Sequence, residues 1–178
     1  MLMKEEIESL KEILEVNPDN INAWMNLAQI YYNNGDFENA IDAFKQALKI
    51  ESDNALIWQN LGFLYNEKGL YHDAIESIKK ALEFNPNLSI AWTELSFSYI
   101  ELADYDKTID ACKQALKIDN NDETAWTNLG SAYFNKNQYE KAIEAAKEAL
   151  RIIPNLEFAQ TVLDLAEKAN KENRKLES

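Results

Sequence analysis

The chain of 178 residues has one cysteine, one histidine, three prolines and four glycines. Cys112 has no second thiol, so no intramolecular disulfide can form. With His72 also alone, a Cys/His zinc site lacks its ligands. So little Gly and Pro favours long helices over many short strands. No apolar run approaches the roughly 18 residues that a membrane-spanning helix needs. Lys4, Glu5 and Glu6 stand where a signal peptide carries its apolar segment, so the expected location is cytoplasmic and reducing. Basic residues are scarce as well: 18 Lys and Arg against 31 Asp and Glu leave a net charge of -13. No Lys/Arg cluster is visible along the sequence, so neither nucleic acid nor an anionic membrane is an expected partner. The turn after Gly69 lacks the Lys-Ser/Thr of a phosphate-cradling loop. What remains is ordinary for a globular chain, 46% hydrophobic and 28% charged, with enough length for a real core. The acid excess suits a basic or polar partner.

What is present repeats. Trp24, Trp58, Trp92 and Trp126, all the tryptophans of the chain, are 34 residues apart. Leu27, Leu61, Leu95 and Leu129 follow three residues later, then the small residues Ala28, Gly62, Ser96 and Gly130, then Tyr31, Tyr65, Tyr99 and Tyr133. Ala40, Ala74, Thr108 and Ala142 come next, and later Ala47, Ala81, Ala115 and Ala149. Pro18, Pro86 and Pro154 share one position of the period. A fixed period in the range of about 20–50 residues means stacked structural units. At 100° per residue, Trp, Leu, the small residue and Tyr fall on one arc of a first (A) helix. The small residue lets a second (B) helix approach closely. A helices are expected near 21–34, 55–68, 89–102 and 123–136, and B helices near 37–50, 71–84, 105–118 and 139–152. Asp36 precedes one B helix, and Glu38, Asp73, Asp106 and Glu140 place negative charge in B-helix first turns, which suits the helix dipole.

This pattern of W-x2-L-G-x2-Y followed by A, F, A and P resembles the tetratricopeptide repeat (TPR), a helix–turn–helix unit of about 34 residues. The match spans residues 21–156. It departs at Thr108, at Cys112 in a bulky position, and at Ser52 and Asn120 in the proline position. The resemblance implies an all-α fold, a right-handed α-solenoid of about ten helices. The expected organisation is a single TPR domain over 1–178. An orphan B-type helix occupies 3–20, four repeats occupy 21–54, 55–88, 89–122 and 123–156, and a capping helix occupies 157–175. In the cap, Gln160, Asp164 and Glu167 replace Trp, the small residue and Tyr, as a wet outer face requires. At the other end, Leu10 and Ile13 are expected to stay partly uncovered.

The resemblance also implies a concave, peptide-binding groove on the A-helix face opposite the Trp/Leu/Tyr arc. Carried over by register, position 2 of the repeats gives Asn22, Leu56 and Ile90, with Phe158 on the cap. Position 5 gives Met25, Gln59, Thr93 and Thr127. Position 6 gives Asn26, Asn60, Glu94 and Asn128, whose amides suit a ligand backbone. Position 9 gives Gln29, Phe63, Phe97 and Ser131. Position 12 gives Tyr32, Asn66, Ile100 and Phe134. Glu67 and Glu101 add negative charge. The competing expectation is that neighbouring repeats bury Leu56 and Ile90 as core. A two-carboxylate clamp of the kind some TPR domains use would need basic residues where Met25, Ile90 and Glu94 stand, so chaperone-tail recognition is not expected.

No catalytic constellation emerges. The paired carboxylates lie on polar faces, His72 falls in an inter-helix turn, and Cys112 occupies a core position. The expected function is a non-enzymatic protein–protein interaction module with a protein or peptide ligand, no cofactor and no metal. The alternatives are an assembly scaffold, a homo-oligomer formed through the solenoid ends, or the TPR arm of a larger protein.

Overall fold

The computed structural model of the protein describes residues 2–176. These form ten α-helices and no strand. They are α1 (Leu2–Val16), α2 (Ile21–Asn33), α3 (Phe37–Ile50), α4 (Ala55–Glu67), α5 (Tyr71–Phe84), α6 (Ser89–Glu101), α7 (Tyr105–Ile118), α8 (Glu123–Asn135), α9 (Tyr139–Ile152) and α10 (Glu157–Leu176). The helices of the four repeats agree with the periodicity to within one residue. Helix α10 ends within one residue of the expected 175, its polar residues being good helix formers.

Helix starts are set by short polar side chains. Asn20 accepts from the amide of Ala23 at 3.1 Å, Asn54 from Ile57 at 3.2 Å, and Asp122 from Ala125 at 2.8 Å. Asp36 and Asp104 each accept from the third residue on, at 3.3 Å. Each such bond satisfies one of the amides that a helix N-terminus leaves open. Inside every helix pair the chain turns through a left-handed residue at one register position. Gly35 (φ 73°) and Gly69 (φ 70°) take it freely, whereas Ala103 (φ 56°) and Asn137 (φ 58°) adopt the same conformation with a side chain.

The helices gather into two compact units, Met1–Pro86 and Asn87–Ser178. In the first, α1 to α5, buried Ala28, Ala40, Phe44, Ala47, Ile57, Leu61 and Leu64 make the core, and Trp24, Tyr31, Trp58 and Tyr65 pack against it. Leu14 of α1 closes over Ala23 and Leu27. The small residue of the repeat sits where the helices nearly touch. A Cβ added to Gly62 would lie 2.4 Å from Cγ1 of Ile78 and 3.3 Å from the carbonyl oxygen of Ala74. In the second unit, α6 to α10, the core is built from Ile109, Cys112, Ala115, Ala125, Leu129, Ala132 and Ala145, flanked by Trp92 and Trp126. There a Cβ on Gly130 would meet Val162 at 3.3 Å and the Ala142 carbonyl at 3.4 Å. Thr108, in place of alanine, is fully buried, and its hydroxyl donates to the Asp104 carbonyl at 2.9 Å. That bond supplies the partner a buried hydroxyl requires.

The tryptophans do more than fill space. They are half-buried rather than fully enclosed. The indole N–H of Trp24 donates to the carbonyl of Pro18 at 2.8 Å, that of Trp58 to Ser52 at 2.8 Å, and that of Trp126 to Asn120 at 3.0 Å. Each bond ties an A helix to the loop before it. The acceptor is always the residue in the proline position, and it is a backbone oxygen. Ser52 and Asn120 therefore serve as well as Pro18.

Three substitutions test this geometry. Gly62→Ala is expected to lower unfolding free energy by about 1–3 kcal/mol through overpacking against Ile78. Gly130→Ala, with more room, should cost less. Ala103→Gly should raise stability by about 0.5–1 kcal/mol, since relief of the left-handed penalty outweighs the entropy glycine adds to the unfolded chain. Urea unfolding followed by circular dichroism measures all three. A silent Gly62→Ala or a destabilising Ala103→Gly would contradict the geometry.

Candidate ligand groove

In the first unit the groove-face residues divide between the open surface and the packing. Asn22, Asn26 and Gln29 of α2 are exposed, Met25 and Tyr32 half-buried. On α4, Leu56 is 55% exposed, so it is not buried between repeats. Asn60 and Phe63 are half-buried, while Gln59 and Asn66 are buried. Tyr32 and Phe63 meet edge to face with ring centroids 5.5 Å apart, and Tyr32 also touches Phe37 at 6.0 Å. An aromatic contact of this type is worth about 0.5–1.5 kcal/mol beyond its area. It fixes both rings on the A-helix face. Nearer the start of the chain, Asn26 and Gln29 line a hollow of about 370 Å³ with Glu6, Ser9 and Leu10 of α1. The part played by α1 there was not read from the sequence, because no A-helix register extends into it.

The second unit holds a better-formed cleft of about 350 Å³ between α6, α8 and α10. The register-derived residues Phe97, Ile100, Asn128 and Phe134 line it, with Glu101, Ser131 and Asn135. Phe97 is 39% exposed, and Phe134 stacks against Tyr139 at 5.9 Å. Helix α10 closes the far wall with Phe158, Thr161, Val162 and Leu165. Phe158 and Leu165 are exposed, at 57% and 48%. Apart from Phe158, this wall was missed in the sequence. Positions 5, 6 and 9 of the repeat, carried onto α10, give the other three, so the signal was present.

Several register positions are committed inside the fold. Thr93 is buried with its hydroxyl 2.5 Å from a carboxylate oxygen of Asp122. Thr127 is buried and donates to the Glu123 carbonyl at 2.7 Å. The amide of Asn128 donates to the hydroxyl of Ser96 at 3.0 Å, and Ser96 donates on to the Thr93 carbonyl at 2.7 Å. Asn128 thus reaches the cleft with its amide nitrogen already engaged. Ile90 is 63% exposed, contrary to burial as core, and Glu94 is half-buried. One polar atom of the cleft stands out. Ser131 is buried, and its hydroxyl has no hydrogen-bond partner. Its own carbonyl is occupied by Asn135, at 2.8 Å. A buried hydroxyl without a partner costs about 1–3 kcal/mol, which a ligand group in the cleft can recover.

No group of three or more His, Cys, Asp or Glu among the described residues is placed to hold a metal ion. No described helix is long and apolar enough to cross a membrane.

The profile of one protein family, the Cilia and flagella-associated protein 70 C-terminal domain, matches residues 3–177. No curated protein matches the chain. Among solved structures, MamA is similar at 28% identity and a TM-score of 0.80, over 85% of this chain and 82% of that one. YrrB, described as a TPR protein with an unusual peptide-binding site, is similar in fold at 19% identity and a TM-score of 0.73, over 92% and 93%. The first TPR of Spaghetti (RPAP3), bound to the HSP90 peptide SRMEEVD, shares the fold at 23% identity and a TM-score of 0.65, over 66% of this chain and 94% of that one.

Cys112 lies in the core, where the sequence placed it; His72, expected in the inter-helix turn, is instead the second residue of α5, because the helix already begins at Tyr71. His72 is exposed. Cys112 is fully buried, and burial pushes its thiol up from 9.0 to about 12, with a hydrogen bond to Ser96 pulling the other way. The raised value means that its stabilising contribution is whole below about pH 9 and is lost as pH climbs from there toward 12. At neutral pH the thiol is protonated and enclosed. Ellman's reagent should label Cys112 in the native protein about a hundredfold more slowly than in urea-unfolded protein. Equal rates would place the thiol at the surface.

Proposed function

The chain belongs to the family of the Cilia and flagella-associated protein 70 C-terminal domain, a TPR family, and on that premise we propose that it is a non-enzymatic module that binds a peptide or protein segment on its A-helix face. The observation that carries this reading is the cleft of the second unit. Its walls are apolar, with Phe97, Ile100, Phe134, Phe158 and Leu165 around it, and at its base lies the unsatisfied hydroxyl of Ser131. Apolar anchors in a pocket with one polar group awaiting a partner are what a bound segment uses. YrrB, by its description, has a peptide-binding site, and the RPAP3 repeat holds a peptide, which supports the same use of the fold here. In the first unit the Tyr32–Phe63 pair offers a second apolar contact, with the amides of Asn26 and Asn60 near the surface.

The ligand that suits the second-unit cleft has a bulky apolar side chain and a backbone or hydroxyl group to meet Ser131. Glu101 at the rim favours a basic neighbour. The HSP90-type clamp is not part of this reading, because Met25, Ile90 and Glu94 replace its basic positions. Affinity is expected on the order of micromolar, since a flexible segment must be ordered on binding.

Peptides selected from a displayed library and titrated by calorimetry test this. Phe97→Ala/Phe134→Ala should weaken a selected peptide by about tenfold or more, and Ser131→Ala by a few-fold. Unchanged affinity in the double variant would move the binding site off this face.

A further inference from the structure

The other side of the first unit carries a larger cleft, of about 670 Å³. That volume lies within the range of about 300–1,000 Å³ typical of ligand sites. Its floor is apolar, formed by Trp58, Leu61 and Tyr65 of α4 with Leu48 of α3. The indole of Trp58 is held in place by its bond to the Ser52 carbonyl. Part of the residue is left for solvent or for a ligand.

The rim is charged, and the charges are ordered. Helices α3 and α5 each run antiparallel to α4, so they are parallel to one another and one 34-residue period apart. Lys45 therefore stands level with Lys79, and Lys49 with Glu83. Lys45, Lys49, Lys79 and Lys80 all line the cleft. Lys45 lies over the ring of Tyr65 at 5.9 Å, and Lys49 donates to Gln46 at 3.0 Å. Neither has a carboxylate partner among the described residues. Glu83 is paired with Lys80 at 2.8 Å. Asp73 and Glu76 occupy the opposite end of the rim, toward the start of α5. A chain with net charge -13 thus gathers four of its 18 basic residues round one aromatic floor.

We propose that this cleft docks a second partner segment, one that presents a large apolar side chain with a cluster of carboxylates at one end. The apolar side chain settles on Trp58 and Leu61. The carboxylates meet Lys45 and Lys49. Asp73 and Glu76 repel them at the other end, so the segment binds in one orientation only. The site shares no residue with the A-helix face, so both can be occupied at once, by partners of opposite charge preference.

The test uses the whole chain and a fluorescein-labelled peptide, acetyl-Gly-Ser-Leu-Trp-Leu-Glu-Asp-Glu-Glu-amide, followed by anisotropy at low and high salt. Two control peptides carry lysines in place of the acids, or alanines in place of the Leu-Trp-Leu core. Saturable binding is expected, weakened by salt, and weakened about tenfold by Lys45→Glu/Lys49→Glu and by either control change. Lys45→Gln/Lys49→Gln should show a smaller loss in the same direction. Phe97→Ala/Phe134→Ala should leave it within about twofold, which separates this site from the A-helix face. The Trp58 indole N–H resonance, assigned with Trp58→Phe, should shift on addition of the peptide. Equal binding of the lysine peptide, indifference to both Lys45/Lys49 variants, or no saturation up to about 1 mM peptide would overturn the proposal. So would sedimentation showing that a second copy of the chain occupies the cleft.

Discussion

Every repeat depends on one close approach. Where the A helix carries Ala28, Gly62, Ser96 or Gly130, the B helix must come near enough to bury its own alanines. At Gly62 the fit has no room for even a methyl group. Dispersion falls off steeply with separation, so this distance decides whether Ala40, Ala47, Ala74 and Ala81, each fully buried, contribute anything. The larger residues then have fixed places. Leucine goes to the core, and tryptophan and tyrosine straddle core and surface. Where Ser96 replaces glycine, its hydroxyl is absorbed by the Thr93 carbonyl and by Asn128, so the position tolerates a polar atom only with partners supplied locally.

Most of this was legible in the sequence because it repeats. Periodicity gave the repeat helices almost residue by residue, the packing role of Gly62, the buried position of Cys112 and the exposure of His72. It was less informative wherever a side chain's fate depends on a neighbour outside its own repeat. Thr93 and Thr127 share a register with Met25, yet they are buried while Met25 is half-open. Their hydroxyls find Asp122 and the Glu123 carbonyl, and a thioether has no such pull. The wall that α10 gives to its cleft was overlooked because the helix was read only as a cap. The lysines at 45, 49, 79 and 80 never look like a cluster in linear order, since folding is what brings α3 beside α5.

The faces of the A helix have different duties, and substitutions on them have different consequences. Residues on the Trp/Leu/Tyr arc are constrained by contact within the unit. Residues on the opposite arc are free to differ from copy to copy, as Gln29, Phe63, Phe97 and Ser131 do at one and the same position. Half-burial of the tryptophans gives the first arc a second use, because a ring edge that packing leaves open is also a surface.

The indole bond to the preceding loop has a consequence for how such a chain changes over time. Its acceptor belongs to the main chain, so any amino acid at that place can provide it, and Pro18, Ser52 and Asn120 all do. The latch between successive modules is thereby indifferent to the text of the joint. A copy can be duplicated, lost or exchanged in steps of 34 residues, and Trp24, Trp58 and Trp126 show that the oxygen six residues upstream serves whatever residue carries it. The joints are then free to drift in composition, and the length of the array is free to be selected for what it reaches.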